Sequence, residues 1–155
     1  AAASDVYKRQ STDVENKILG ESTMKTKFMT LMTVAALGIF SAGTVRAAGN
    51  NDFYTDLPGQ AVIDLDGYRA FITHGHGYHV SYSPNRLVAE ALHRNAQIAM
   101  YGHTHVPHLE QIEGVIVLNP GSLSYPRQAG REPSYIIMET TPDKQVHFDI
   151  RYLRK

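Results

Sequence analysis

Short β-branched and apolar runs alternate with turn signals from residue 60 onward, and this pattern predicts a strand-rich fold. Residues 60–65 (QAVIDL) and 68–73 (YRAFIT) flank an Asp-Gly pair at 66–67, which is typical of a two-residue hairpin turn. Two further hairpins are predicted in the same way: 109–112 with 115–119 around Glu-Gly at 113–114, and 134–140 with 146–152 around Pro-Asp at 142–143.

One helix interrupts the predicted strands. Ser83 can cap it, Pro84 can begin it and Asn95 ends it, before a further strand at 96–101 (AQIAMY). The apolar face of the helix is predicted to consist of Leu87, Val88, Ala91 and Leu92. A strand, a helix, a strand and a run of hairpins together indicate an α/β (α+β) fold in which strands dominate.

The first third of the chain has a different pattern. Residues 24–47 begin with Met24 and two lysines, continue through an apolar run at 28–40 and end in the small-residue pair Val45-x-Ala47. This three-part pattern is typical of a secretory signal peptide. The alternative is a buried helix. A transmembrane helix is not expected, because the apolar run is too short to span a bilayer. We therefore expect a signal-peptide-like segment at 24–48 and, if it is genuine, a secreted or extracytoplasmic location.

Residues 1–23 precede that segment and are interpreted as a non-native upstream stretch, disordered in the protein. The sequence at 5–10, DVYKRQ, resembles one reading frame of an adapter used in sequencing libraries. The alternative is a polar N-terminal tail, which is equally uninformative about function. Either interpretation leaves 49–155 as the folded domain.

Composition limits the partners and the chemistry. The 155 residues are 43% hydrophobic and 19% charged, the balance of a globular chain, and the net charge is +0. No basic patch for nucleic acid is evident, and no membrane span is expected. Because the chain has no cysteine, histidine, carboxylate and amide oxygen are the available metal ligands.

Polar side chains collect near predicted strand ends, where sites on sheets are commonly built. The groups are Asn50, Asn51 and Asp52, then His74 and His76, then His103 and His105. In an extended segment, residues two apart point to the same side, so each histidine pair could face one ion. Glycines at 75 and 102 allow close approach or unusual φ. Taken singly, each group is more often surface polarity or a turn than a metal site.

The order of these groups is more specific than any one of them. GNND, THGH, YGHTH and LNPGS, in that order, resemble the C-terminal part of the calcineurin-like metallophosphoesterase superfamily, in particular its small bacterial and archaeal phosphodiesterases. The resemblance implies a four-layer αββα sandwich, two divalent ions (Mn, Ni, Fe or Zn), a small phosphodiester substrate and, for this family, a cytoplasmic location. The implied metal ligands are Asn50, His74, His103 and His105. Asp52 would orient the site and His76 would lie near the metals or the phosphate.

The chain also departs from the family pattern. The family's DxH and GD motifs, which supply an aspartate bridge between the ions, are absent before Gly49. We therefore expect a truncated domain, joined at Gly49 to an unrelated segment, with little activity and at most one weakly bound ion. Asn51 replaces a histidine that protonates the leaving group in many members, which favours substrates with good leaving groups such as aryl phosphodiesters.

Two other hypotheses compete with a phosphodiesterase by descent. One is a secreted protein whose histidine cluster binds a single Zn²⁺ without catalysis, because three histidines and a water form a plausible zinc shell. The other is an inert interaction or structural β domain whose histidines hold no metal. Metal analysis of the purified protein separates these two hypotheses.

Overall fold

The computed structural model describes residues 29–32 and 58–153. Its regular elements are the strands β1 (Met29–Met32), β2 (Gln60–Leu65), β3 (Tyr68–Thr73), β4 (Ile98–Met100), β5 (Pro107–Ile112), β6 (Val115–Pro120), β7 (Ser134–Thr140) and β8 (Val146–Tyr152), the helix α1 (Asn85–His93), and 3₁₀ turns at His76–Tyr78 and Ala129–Arg131. In this part of the chain no helix is long and apolar enough to cross a membrane.

A five-stranded sheet with the order β2-β3-β4-β6-β5 forms the centre of the described residues. Strands β3, β4 and β6 are parallel, whereas β2 and β5 pair antiparallel with their neighbours. The register aligns Ile72 with Met100 and Met100 with Leu118. The carboxyl ends of three adjacent strands therefore lie along one edge of the sheet.

The predicted hairpins are confirmed, and the backbone shows why. Asp66 and Gly67 have φ of 52° and 90°, and Glu113 and Gly114 have φ of 50° and 82°. Positive φ at both central residues is the requirement of the turn that matches strand twist, and glycine meets it without steric cost. The β7–β8 hairpin begins and ends at the predicted residues, whereas the strand predicted at 96–101 is shorter, at Ile98–Met100.

Helix α1 packs on the five-stranded sheet through a narrower face than the sequence predicts. Leu87, Val88 and Ala91 are buried, whereas Leu92, which was predicted on the same apolar face, is 42% exposed. At 100° per residue Leu92 lies on the flank of the stripe centred between Leu87 and Val88. The helix begins one residue later than predicted: Pro84 rather than Ser83 is its N-cap, without a side-chain capping bond, and Ser83 Oγ accepts the Asn85 amide at 3.2 Å.

Two hydrophobic layers lie on opposite faces of the five-stranded sheet. Phe71, Ala99 and Val117 pack toward α1, whereas the alternate residues pack toward the second sheet. That second layer contains Ala70, Ile72, Ile98, Met100, Leu118, Ile136 and Met138. The described residues therefore form a helix layer and two sheet layers, and the strand-rich α/β prediction is confirmed.

The second sheet has three strands in the order β1-β7-β8. Its first strand, Met29–Met32, pairs antiparallel with Ile136–Glu139 and lies inside the segment predicted to resemble a signal peptide. The rest of that segment and residues 1–23 lie outside the described residues. The predicted division of the chain at Gly49 therefore stays a prediction.

Candidate functional site

The histidines that the sequence singles out lie at the carboxyl edge of the parallel strands. His74 follows β3 directly, and His103 and His105 lie in the loop after β4. Because β3 and β4 are adjacent and parallel, their following loops meet although 29 positions separate His74 from His103. The topology of the sheet therefore brings the two motifs together.

Three imidazoles form a cluster, which we call the imidazole cluster: His74, His76 and His103. Nε2 of His74 and Nδ1 of His103 lie 3.2 Å apart, with ring centroids at 5.1 Å. The His76 ring lies 5.4 Å from that of His74 and 6.3 Å from that of His103. The structure thus brings His74 and His103 together, and His76 lies beside them.

The backbone conformation that brings these histidines together differs from the predicted one. The assumption that each His-x-His pair lies on extended backbone was wrong. His103 and His105 have φ of 65° and 60°, and His76 begins a 3₁₀ turn after Gly75, whose φ is 101°. Left-handed residues redirect the loop, so the alternation rule of a strand does not apply.

Gly75 is required at its position for two reasons. Its φ of 101° is one that other residues rarely adopt, and a Cβ there would lie 2.9 Å from Cγ2 of Val80. The expected role of this glycine in close packing is confirmed. Gly102 approaches the first loop through its backbone, since its amide donates to the His74 carbonyl at 3.1 Å.

Asn119 is a positioning residue that was not predicted, because it was interpreted only as the end of a strand and as part of the LNPGS motif. It is fully buried in β6, and its Nδ2 donates to the Gly102 carbonyl at 2.8 Å and to Thr104 Oγ1 at 2.9 Å. Its Oδ1 accepts the Gly121 amide at 2.9 Å. A buried amide at the end of an apolar strand must find such partners, and that rule could have identified it.

His105 is oriented by a backbone carbonyl. Its Nδ1 lies 2.9 Å from the Tyr125 oxygen, which can only accept, so Nδ1 carries the proton. The Nε2 lone pair is then the one that remains for a ligand. Such a hydrogen bond, which fixes both tautomer and ring direction, is typical of histidines that bind metals.

A second chain of hydrogen bonds connects Tyr101, the residue after β4, to β5. The Tyr101 hydroxyl lies 3.0 Å from His108 Nδ1, and His108 Nε2 lies 3.2 Å from Glu110 Oε2. Burial, with a smaller contribution from the charge of Glu110, raises the pKa of Tyr101 to about 12. Tyr101 is therefore a neutral donor at neutral pH, and its hydrogen bond to His108 holds it in place.

The electrostatic environment keeps His103 in the form that binds metals. Burial lowers the pKa of His103, and electrostatic interactions with His76, Arg127 and His105 lower it further. A metal ligand must be deprotonated, so a lowered histidine pKa favours the neutral imidazole that donates its lone pair.

The described residues fit part of a metal site. For ligand bonds of roughly 2.0 to 2.1 Å, tetrahedral geometry separates two nitrogens by about 3.3 to 3.4 Å. The observed 3.2 Å between His74 and His103 is close to that value. However, no group of three or more histidine, aspartate or glutamate side chains within 58–153 is arranged to hold an ion. The predicted Asn50 ligand and Asp52 lie outside the described residues.

The fold and its site together define a class of protein. Two packed sheets, with a helix outside one of them and histidine loops at the ends of its parallel strands, form a mixed α/β sandwich with an imidazole-lined edge. The model of the calcineurin-like phosphoesterase superfamily domain matches residues 23–143. The chain belongs to this superfamily, as the order of its motifs indicates.

Individual relatives agree with this assignment. The chain is 26% identical over 139 residues to the probable metallophosphoesterase YsnB of Bacillus subtilis, covering 89% of this chain and 76% of YsnB. It is 39% identical over 87 residues to the phosphodiesterase YfcE of Escherichia coli K12, covering 56% of this chain and 42% of YfcE. The crystal structure of a conserved uncharacterized protein, a predicted phosphoesterase from Streptococcus pneumoniae TIGR4, is 30% identical, with a TM-score of 0.60 and 72% of each chain covered.

The matches differ in how much of each protein they cover. The alignment with YfcE spans less than half of that enzyme, whereas the superfamily match begins at residue 23, ahead of Gly49. The superfamily implies divalent metal ions without identifying the element.

Proposed function

We propose that this chain carries the histidine-bearing part of a metal-dependent phosphodiesterase that acts on small phosphodiesters. The observation that supports the proposal most strongly is the pair His74 Nε2 and His103 Nδ1, which lie 3.2 Å apart at the carboxyl edge of the parallel strands. Two divalent ions, when bound, would bind phosphate oxygens, activate a water and offset the charge of in-line displacement.

Each candidate site residue has a defined part in this proposal. His74, His103 and His105 provide neutral imidazole nitrogens, and the Tyr125 carbonyl turns His105 Nε2 toward its ligand. Asn50 provides an amide oxygen. Asp52 orients the site, and His76, 5.4 Å from His74 between ring centroids, lies beside the bound phosphate.

The chemistry of the site favours substrates with good leaving groups. Asn51 cannot donate a proton as an acid, so an alkoxide leaving group would depart without protonation from that position. An aryl phosphodiester releases a phenolate that needs no such help. The proposed substrate class is therefore aryl phosphodiesters.

We further propose that the chain as written has little activity. The histidines and Asn50 are neutral ligands, and two cations held close together repel strongly unless carboxylates offset their charge. Without the DxH and GD motifs the site would hold at most one ion, weakly. In this proposal residues 1–23 are non-native, 24–48 resemble a signal peptide and 49–155 form the truncated domain, although the superfamily match begins at residue 23.

Restoring the missing ligands tests the proposal. An N-terminal βαβ unit with DxH and GD motifs, joined at Gly49, should confer Mn²⁺-dependent hydrolysis of bis(p-nitrophenyl) phosphate, measured by release of p-nitrophenolate. In that restored enzyme His103→Ala should abolish turnover. His147→Ala is the matched control, because His147 is an exposed histidine on β8, and it should leave turnover unchanged.

Two outcomes would contradict different parts of the proposal. Robust turnover by the chain as written, sensitive to EDTA, would show that the truncation argument is wrong. Unchanged turnover in the restored His103→Ala variant would exclude the metal role of the imidazole cluster.

A further inference from the structure

The loop at residues 122–128, which follows β6, is bonded closely to His105. The Tyr125 carbonyl accepts from His105 Nδ1 at 2.9 Å, and the Arg127 amide donates to the His105 carbonyl at 3.1 Å. The Tyr125 amide in turn donates to Ser122 Oγ at 3.0 Å. Hydrogen bonds therefore hold the backbone of the 122–128 loop against the proposed metal centre.

The side chain of Tyr125 contrasts with its well-anchored backbone. The residue is 60% exposed, yet its ring stands at 86° to the His105 ring with centroids 5.9 Å apart. The Arg127 guanidinium carbon lies 5.4 Å from the Tyr125 ring centroid. An exposed aromatic ring held by neighbours loses little conformational entropy on binding, which is typical of recognition residues.

Arg127 adds a positive charge to the same place. Its side chain is exposed, and its guanidinium lies over the Tyr125 ring, which in turn contacts the His105 ring. No carboxylate among the described residues forms an ion pair with it. A guanidinium that has no acidic partner within residues 58–153, next to a proposed phosphate site, is well suited to an anionic ligand.

We propose that Tyr125 and Arg127 form a specificity element for phosphodiesters that carry a planar aromatic group. Arg127 pairs with the phosphodiester anion, and the Tyr125 ring stacks on the aromatic group of the ester. This inference rests on the proposed function, since it places the substrate at the imidazole cluster. It goes further by naming the residues outside the metal-binding motifs that select the substrate.

The alternative is a purely structural role, in which the Tyr125 ring packs on His105, Arg127 packs on that ring, and neither side chain contacts the substrate. Binding measurements on the full chain separate these cases, because they need no turnover. The probes are bis(p-nitrophenyl) phosphate, which has aryl rings, thymidylyl-3′,5′-thymidine, which has nucleobases, and diethyl phosphate, which has no ring. Dissociation constants are measured by NMR titration at fixed ionic strength, with folding of each variant checked by its amide spectrum.

The two side chains should give different signatures. Tyr125→Leu should weaken binding of a ring-bearing probe by about three- to tenfold and leave diethyl phosphate unchanged, whereas Tyr125→Phe should bind like the wild type. Arg127→Gln should weaken all probes that bind by about two- to fivefold, with Arg127→Lys recovering part of the loss. A loss confined to the aryl probe or to the dinucleotide identifies which aromatic group the ring contacts.

The same chain offers matched control variants for both substitutions. Tyr82→Leu, at a tyrosine that is 93% exposed, and Arg86→Gln, at an exposed arginine of α1, should leave all the dissociation constants unchanged. Absence of bis(p-nitrophenyl) phosphate binding by the wild type, or equal binding by Tyr125→Leu, would overturn the inference. Either result would leave the His103→Ala test of the metal role unaffected, so the two failures are distinguishable.

Discussion

Replacing Asn119 by alanine should both destabilise the protein and release the loop that carries His103 and His105. The side chain is fully buried and makes three hydrogen bonds of 2.8 to 2.9 Å, to the Gly102 carbonyl, Thr104 Oγ1 and the Gly121 amide. Alanine removes all of these and leaves the Gly102 carbonyl and the Gly121 amide without this partner.

The expected magnitude follows from those three hydrogen bonds. A net value of about 1 kcal/mol for each gives a loss of about 3 kcal/mol in the free energy of unfolding. The cost of leaving buried partners unsatisfied increases the loss, whereas the amide of Asn119 no longer has to be desolvated. Against a total stability of about 5–15 kcal/mol, a loss of this size is readily measured.

Urea denaturation measures the global loss, and hydrogen exchange measures the local one. In Asn119→Ala the Gly121 amide loses its acceptor and should exchange faster than in the wild type. Asn119→Asp keeps an acceptor for that amide but removes both donors, so it should retain Gly121 protection while losing at least as much stability at neutral pH. The matched control is Asn85→Ala, at an exposed asparagine at the start of α1.

A loss below about 1 kcal/mol in Asn119→Ala, with unchanged exchange at Gly121, would refute this reasoning. It would mean that the hydrogen bonds of Asn119 do not hold the loop after β4.

Two further predictions concern the backbone and the pH dependence of stability. Gly75 has a φ of 101°, and a Cβ there would lie 2.9 Å from Val80, so Gly75→Ala should lower the free energy of unfolding by more than about 1 kcal/mol. Gly77→Ala should not, because a Cβ at that position meets nothing within 4 Å, and equal urea midpoints for the two variants would contradict this prediction. The pKa of Tyr101 is raised from 10.0 to about 12 in the folded state, so above pH 10 the unfolded state loses its phenol proton first and stability falls as pH rises toward 12. Tyr101→Phe should remove that component, and an identical alkaline slope in urea titrations of the two proteins would contradict the assignment.

Local sequence was sufficient to predict most of the secondary structure. The Asp-Gly and Glu-Gly turns were identifiable because left-handed conformation at two adjacent residues is a local property of the backbone. Strands β7 and β8 were delimited correctly because apolar runs are bounded there by turn residues. The order of the histidine motifs also indicated the superfamily, since chemistry-bearing residue types are visible in the chain itself.

Tertiary structure decided which of those residues meet. That β6 lies beside β4, and so places the buried amide of Asn119 under the Gly102–His105 loop, depends on strand order, which no short stretch of sequence encodes. The same holds for Tyr125, whose carbonyl reaches His105 across 20 positions. Leu92 shows that even the buried face of a single helix is not fully predictable from sequence. The width of that face depends on the surface against which the helix packs.

The conformation of the loops that carry the histidines is the clearest example of a feature that tertiary structure decides. The spacing of His103 and His105 indicated a metal motif, but the expected extended backbone was replaced by left-handed residues at both positions. Such conformations cost energy locally and persist only when surrounding contacts compensate, here the bonds from Asn119 and Tyr125. The sequence by itself therefore determined which chemical groups the loops carry, and the packed fold determined the directions in which those groups point.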